Sequence, residues 1–198
     1  MNLGWVQAVA RRRGVIACLL LLAGVFQAPA ALGDDDGRVK VRNAYAELRD
    51  GVFYLNARLD YRLGEEAVEA LRSGVPLDLE LEINVERRRR YLWDPNVASL
   101  RQHYQLSYHA LSERYLVRNV NSGEQASFAN LEAALLELGR VRDLPIIDES
   151  LLDERDRYTV SLRAIVDIRE LTGPLSILTF VWNDWRMASD WYQWPLQK

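Results

Sequence analysis

The stretch LDLELEINVE, residues 77–86, alternates apolar residues with charged or polar ones at every position. Successive side chains of a β-strand point to opposite faces, so this stretch predicts a strand with one buried and one solvated face. The same alternation occurs in residues 53–63, 104–110 and 158–168. The chain is therefore predicted to be mainly β.

Turn and helix signals organise the chain around these strands. Asp50-Gly51 tolerates the positive φ angles of a tight turn, so it predicts a hairpin between residues 38–49 and the strand that follows. Residues 65–73 break the alternation, begin with acidic residues and precede Gly74. These features predict a short helix.

A second helix is predicted after residue 127. Its apolar residues recur at helical spacing, at Phe128, Leu131, Leu135 and Leu138. Ser127 can cap the first turn of this helix, and Gly139 can end it. Residues 144–157, which include Pro145 and several acidic residues, are predicted to form an irregular connection.

These elements predict a single domain over residues 34–198. The chain has 198 residues, of which 49% are hydrophobic, so it is long enough to bury one core of ordinary size. About seven to nine antiparallel strands are expected in an immunoglobulin-like β-sandwich with two short connecting helices. The strand order does not follow from the sequence.

Residues 1–33 are predicted to be an export signal. Three arginines at residues 11–13 precede an uncharged, leucine-rich segment at residues 14–32. This order is typical of a bacterial-type secretory signal peptide, with cleavage after Ala30 or Gly33. An uncleaved inner-membrane anchor is the alternative, because a membrane span needs ~20 apolar residues. Either outcome predicts a periplasmic domain.

The segment WNDWRMASDWYQWPL, residues 182–196, concentrates large aromatic side chains. They are Trp182, Trp185, Trp191, Tyr192 and Trp194. Each such ring carries roughly 150–250 Å² of mostly apolar surface, so all four tryptophans are expected to be buried and to hold the end of the chain against the core. The alternative is a surface for a partner or a small ligand, with the rings stacked on sugars or lining an acyl-chain cavity.

Four consecutive arginines, residues 87–90, prolong the strand at residues 77–86. Side chains on a strand alternate between faces, so the four guanidinium groups do not form one patch. They are expected to pair with carboxylates and to discourage pairing with other sheet edges. Contact of Arg88 and Arg90 with a partner or an anionic lipid is the alternative, whereas nucleic acid is not expected for an exported domain.

Nothing in the sequence indicates a catalytic or metal centre. His103 and His109 share one face of a predicted strand but lie roughly 20 Å apart, too far to bind one metal ion. Cys18 is the only cysteine and lies within the predicted signal. We therefore expect no cofactor, no metal and no enzymatic activity.

Several motifs together resemble one known family. Residues 104–108 are Tyr-x-Leu-x-Tyr, residues 129–135 are ANLEAAL and residues 189–196 are SDWYQWPL, after an export signal and an alternating hairpin. The chain is similar to the proteobacterial family of domain of unknown function 4390 over nearly the whole mature chain. This resemblance implies an exported envelope protein of no assigned activity, often encoded beside a nitrogen-regulation-type sensor kinase and response regulator.

The expected function is that of a non-catalytic, periplasmic protein-interaction module. Antiparallel sheets expose edges and loops that suit docking, and the expected partner is a membrane sensor or another envelope protein. A small-ligand or lipid-binding sandwich that uses the tryptophan segment is the alternative. Beyond the signal, membrane contact is expected only weakly, through arginines.

Overall fold

The computed structural model describes residues 37–88, 96–168 and 186–197, which all belong to one compact unit. The strands are β1 Arg38–Arg49, β2 Val52–Arg62, β3 Leu77–Arg88, β4 Asn96–His109, β5 Arg114–Asn119, β6 Gln125–Phe128, β7 Arg140–Asp148, β8 Arg157–Ile168, β9 Arg186–Ala188 and β10 Tyr192–Leu196. The helices are α1 Glu65–Arg72 and α2 Leu131–Leu138, with a 3-10 helix at Glu149–Leu151. The predicted export signal, Trp182, Trp185, Arg90 and the apolar residues 175–181 lie outside the described residues.

The described strands form two antiparallel sheets. The smaller sheet has the order β1-β2-β7, and the larger has the order β10-β8-β3-β4-β5-β6, with β9 also paired to β8. β3 runs through the middle of the larger sheet, and its whole length pairs with β8. The mainly β class, the antiparallel sheets and the two helices are confirmed. The predicted strand count is too low, because the described residues alone contain ten strands.

The first hairpin and the first helix form where the sequence predicts them. Asp50 has a φ of 50° and Gly51 a φ of 79°, so both residues of the turn adopt the positive values that match the twist of the flanking strands. Helix α1 begins at Glu65, ends at Arg72 and is followed by Gly74 with a φ of 89°. These elements depend on local backbone preferences, which the sequence displays directly.

One cluster of buried side chains joins the two sheets. Phe53 and Leu55 of β2 are fully buried, and the apolar residues of β3 from Leu77 to Val85 are at most 2% exposed. The opposite face of β3 is only half-exposed, because arginines of β4 and β8 lie over its carboxylates Glu80 and Glu82. The predicted parity of β3 is therefore confirmed.

The start of the second helix differs from the prediction. Ser127 does not cap α2, because it lies in β6 and pairs with Leu116 of β5. The N-cap is Asn130, whose side-chain oxygen accepts a hydrogen bond of 2.8 Å from the backbone nitrogen of Ala133. The helix starts at Leu131, after strand pairing with β5 has ended.

The predicted irregular connection after residue 144 is wrong in its first part. Residues 144–148 belong to β7, which pairs with β2 through two register shifts. Pro145 lies opposite Tyr54 in this pairing. Proline is tolerated here because β7 is an edge strand among the described residues and pairs there with β2 only.

A buried tyrosine predicts a fall in stability at alkaline pH. Burial raises the pKa of the Tyr61 hydroxyl well above its ordinary value, and the nearby Tyr104 adds to the shift. The unfolded chain therefore loses this proton first, and stability that is fully present below pH ~10 declines as the pH rises further. We expect Tyr61→Phe to reduce this alkaline loss in thermal melts, whereas Tyr45→Phe, at an exposed position, leaves it unchanged. Equal alkaline loss in wild type and Tyr61→Phe would contradict the assignment.

Candidate functional site

The described part of the tryptophan segment places its rings on two different faces. Tyr192 pairs with Leu162 of β8 and Trp194 with Val160, so both rings lie on the inner face and pack against the core. Trp191 precedes β10 on the opposite side and is 39% exposed. The expectation that all four tryptophans are buried is therefore wrong for Trp191, and Trp194 is only half-buried.

The alternation of side chains along an extended segment could have predicted that these two rings face opposite sides. Trp191 and Trp194 are three positions apart, and residues an odd number of positions apart in an extended segment face opposite sides. The sequence interpretation treated the tryptophans as one cluster because of their density. It thereby missed an exposed ring beside a buried one.

A charged pair positions the exposed ring. The guanidinium of Arg163 lies 4.6 Å from the ring centroid of Trp191, a distance typical of a cation–π contact. The Nε atom of the same arginine donates a hydrogen bond of 2.9 Å to Glu82 on the neighbouring strand β3. Glu82 and Arg163 are direct cross-strand partners, so the larger sheet itself holds the cation beneath the indole.

Ser189 anchors the loop that carries Trp191. Its backbone nitrogen donates to the carbonyl oxygen of Ala164 over 2.9 Å, and its hydroxyl oxygen accepts from the nitrogen of Ala164 over 3.1 Å. The same hydroxyl donates to the carbonyl oxygen of Asp190. Sequence reasoning assigned no role to Ser189, and these bonds attach the loop between β9 and β10 to β8.

A cleft of about 400 Å³ lies beside this loop, which we call the Trp191 cleft. One wall is residues 188–192, and the other is residues 38–41 at the start of β1. The side chains of Val39 and Val41 are buried in the core, so this wall presents backbone together with the side chains of Arg38 and Lys40. Neither of these two cations forms an ion pair with a described residue.

The β1 wall of the cleft is also a sheet edge. β1 spans twelve residues, and its only partner among the described strands is β2. An unpaired edge presents a row of backbone donors and acceptors that can pair with another extended chain. The Trp191 cleft therefore combines a strand template with an exposed aromatic ring.

The described part of the arginine run, Arg87 and Arg88, does not line this cleft. Arg87 pairs with Asp156 over 3.0 Å, and Arg88 is exposed opposite Arg157. The expected pairing with a carboxylate is therefore confirmed for Arg87. β8 pairs with both residues on one side of β3, and the expected role against edge pairing stays a prediction for the other side. Arg88 lies six positions along β3 from Glu82, which corresponds to roughly 20 Å.

A larger cleft of about 640 Å³ lies between β7 and the strands β4 to β6. Its half-buried Tyr104 has a pKa raised by burial and, to a lesser extent, by the charge of Glu124. Glu137, which also lines it, pairs with Arg142 over 3.4 Å. None of the described candidate site residues from the sequence, namely Arg88, Trp191, Tyr192 and Trp194, lines this cleft.

The described residues contain neither a metal-binding cluster nor a membrane-spanning helix. Within residues 37–88, 96–168 and 186–197, no group of three or more His, Cys, Asp or Glu side chains is arranged to hold a metal ion. His103 and His109 lie exposed on β4. Neither of the two described helices is long and apolar enough to cross a membrane.

Comparison with known proteins identifies the family. The model of the domain of unknown function DUF4390 matches residues 37–195, from just before β1 into β10. The chain belongs to the DUF4390 family. No curated protein and no solved structure matches it significantly. The resemblance based on the tail motif and the alternating strands is thus confirmed, and the match spans both walls of the Trp191 cleft.

Proposed function

We propose that this DUF4390 domain is a non-catalytic protein-binding module of the periplasm. An extended segment of a partner protein adds to the open edge of β1 and packs against Trp191. The domain is exported by the signal at residues 1–33, either cleaved or retained as an inner-membrane anchor, and is organised as an immunoglobulin-like sandwich. The partner is the extracytoplasmic part of a membrane sensor or another envelope protein.

The edge of β1 that has no partner among the described strands supports this function most directly. Strand addition obtains its affinity from main-chain hydrogen bonds and its specificity from neighbouring side-chain sites. In the Trp191 cleft the backbone of residues 38–41 supplies the main-chain hydrogen-bonding groups, and the indole of Trp191 supplies a side-chain site. Large aromatic rings are also enriched among the residues that dominate binding energy at protein interfaces.

The charge of the cleft indicates the chemistry of the partner segment. Arg38 and Lys40 line it without an ion pair to a described residue, and Asp190 is the one carboxylate among the lining residues. A partner segment that carries acidic side chains at alternate positions matches this arrangement. Charge complementarity of this kind favours the correct partner and accelerates encounter.

Site-specific crosslinking in intact cells tests the proposal. A photo-reactive residue at position 40 of the full chain is expected to form an adduct with an envelope protein, whereas one at position 118, on β5 and outside the cleft, is not. Once the partner is identified, Trp191→Ala should weaken binding by about 30-fold, since a truncated interface tryptophan costs ~2 kcal/mol. Leu151→Ala, which truncates an exposed apolar side chain on the 3-10 helix outside the cleft, is the control. Equal adducts from both positions, or none, would contradict strand addition.

Small-ligand binding in the same cleft is the second candidate. It is favoured by the exposed indole and by a volume within the range of roughly 300–1,000 Å³ that is common for ligand sites. A sugar ring stacked on Trp191 would change the tryptophan fluorescence of the wild type and leave that of Trp191→Phe unaffected. Such a response, together with no protein adduct from position 40, would replace protein binding by ligand binding.

A further inference from the structure

We propose that the outer face of the β1-β2-β7 sheet docks on an anionic phospholipid bilayer. We call this surface the basic face. Its eight cationic side chains are all exposed: Arg38, Lys40, Arg42, Arg49, Arg58, Arg62, Arg140 and Arg142. The same three strands contain only four carboxylates: Glu47, Asp60, Asp143 and Asp148. Since the whole chain carries a formal charge of -3, positive charge is concentrated on this sheet.

The centre of the basic face brings like charges together. Arg58 of β2 and Arg140 of β7 are direct cross-strand partners, and Arg142 is two positions further along β7. Like charges directly opposite each other destabilise a sheet. Glu137 offsets the charge only partly, at 3.8 Å from Arg140 and 3.4 Å from Arg142. Arg58 has no ion pair with a described residue.

The three arginines line a depression of about 410 Å³ on the sheet surface. Asn43, Tyr45 and Asn56 also line it, so hydrogen-bonding groups lie beside the guanidinium groups. The planar guanidinium presents paired donors that match the oxygen atoms of a phosphate group. An anion in this depression would relieve the repulsion between Arg58 and Arg140.

The extent of the charge favours a bilayer over a single anion. One phosphate contacts the central arginines only and leaves Arg38, Lys40 and Arg62 without an anionic partner among the described residues. A sheet of lipid headgroups offers a phosphate to each of them at once. Each basic residue near an anionic membrane surface strengthens binding by about fivefold. The ion pairs Arg42–Asp60 and Arg49–Asp143 lie at other points of the same face and reduce its charge without reversing it.

Vesicle sedimentation tests this docking. The chain from residue 34 is used, after a cooperative thermal transition confirms that it folds, so that the apolar residues 14–32 do not contribute. We expect binding to vesicles that contain phosphatidylglycerol, no binding to phosphatidylcholine alone, and a steep loss of binding with added salt. The variant R58Q/R140Q/R142Q should bind the anionic vesicles on the order of 100-fold more weakly.

A matched variant distinguishes vesicle binding by the basic face from a general effect of the protein's net charge. R118Q/R155Q/R157Q removes the same charge from exposed arginines outside the basic face and should retain vesicle binding. Equal losses in the two variants would overturn the proposal. The melting temperature of R58Q/R140Q/R142Q should stay the same or rise, because repulsion is removed, whereas a purely structural role for these arginines would lower it.

Two further outcomes would also overturn bilayer docking. If inorganic phosphate displaces the anionic vesicles completely at an equal phosphate concentration, the depression takes free phosphate and not a surface. If a polyglutamate peptide binds through the same arginines while the vesicles do not bind, the partner is an acidic protein. Neither result affects strand addition at the Trp191 cleft, which the crosslinking experiment tests separately.

Discussion

Deletion of residues 191–198, which removes β10, is expected to lower the free energy of unfolding by roughly 5 kcal/mol. Tyr192, Trp194 and Leu196 each pack against the core, and removal of a large apolar side chain from such a position costs about 1.5–3 kcal/mol when it is fully buried. The deletion also exposes the edge of β8, whose residues Val160 and Leu162 are fully buried in the intact domain. Since small domains have stabilities of about 5–15 kcal/mol, this loss is roughly a third or more of the total, and the melting temperature of the truncated chain should fall steeply.

Circular dichroism and tryptophan fluorescence during heating would measure this effect. Deletion of residues 197–198 alone is the control, because it leaves every strand pair of β10 in place. A truncated monomer without β10 that melts cooperatively at the wild-type temperature would show that the C-terminal strand is not needed to close the core.

Substitution of Gly139 by alanine is the second change with a large expected effect. A Cβ atom at this position would lie 2.2 Å from the carbonyl oxygen of Leu59, far inside normal contact distance. The two backbones are held together, because the nitrogen of Leu59 donates a 2.8 Å hydrogen bond to the carbonyl oxygen of Gly139. Neither chain can move away without losing this bond. We expect a loss of stability of about 3 kcal/mol, at the upper end of what overpacking costs.

The variant Gly123→Ala distinguishes the stability cost of a steric clash at the Cβ position from the cost of an unfavourable backbone conformation. Gly123 has a φ of 80° but open space around the Cβ position, so alanine there should cost about 1–2 kcal/mol through its left-handed conformation alone. Gly139 has a φ of -74°, which any residue adopts. Denaturant unfolding that gives equal losses for the two variants would contradict the assigned role of Gly139.

Gly139 is a position where the sequence prediction is correct but the physical reason for the glycine is a tertiary contact. The sequence predicts that Gly139 ends α2, and the helix does end there. Glycine often ends a helix because it adopts a positive φ, but Gly139 does not have one. Glycine is required because β2 passes within contact distance of the helix end, a condition set by residues about eighty positions earlier in the chain.

The elements missed by sequence analysis share a physical feature. β6 has four residues, and β7 contains a proline and two register shifts, so neither shows sustained alternation. Each is stabilised by pairing with a longer strand: β6 pairs with β5, and β7 pairs with β2. Their strand conformation depends on a partner, and single-sequence patterns do not identify partners.

The candidate site was predictable only in part. The sequence singled out Trp191 and Tyr192, and both line the Trp191 cleft. It did not indicate Arg38 or Lys40, which reach the cleft because the start of β1 lies near the loop after β9. The Trp191 cleft therefore joins residues separated by about 150 positions in the chain.

The sequence by itself determined the mainly β class, the first hairpin, the parity of the long strands and membership of the DUF4390 family. Each of these depends on neighbouring residues or on a linear motif, and the twofold periodicity of an extended chain is a local property. Only the tertiary structure decided that Arg163 lies beneath Trp191 and that Arg58 faces Arg140. These contacts depend on the register between strands far apart in the chain, which is set when the whole core packs together.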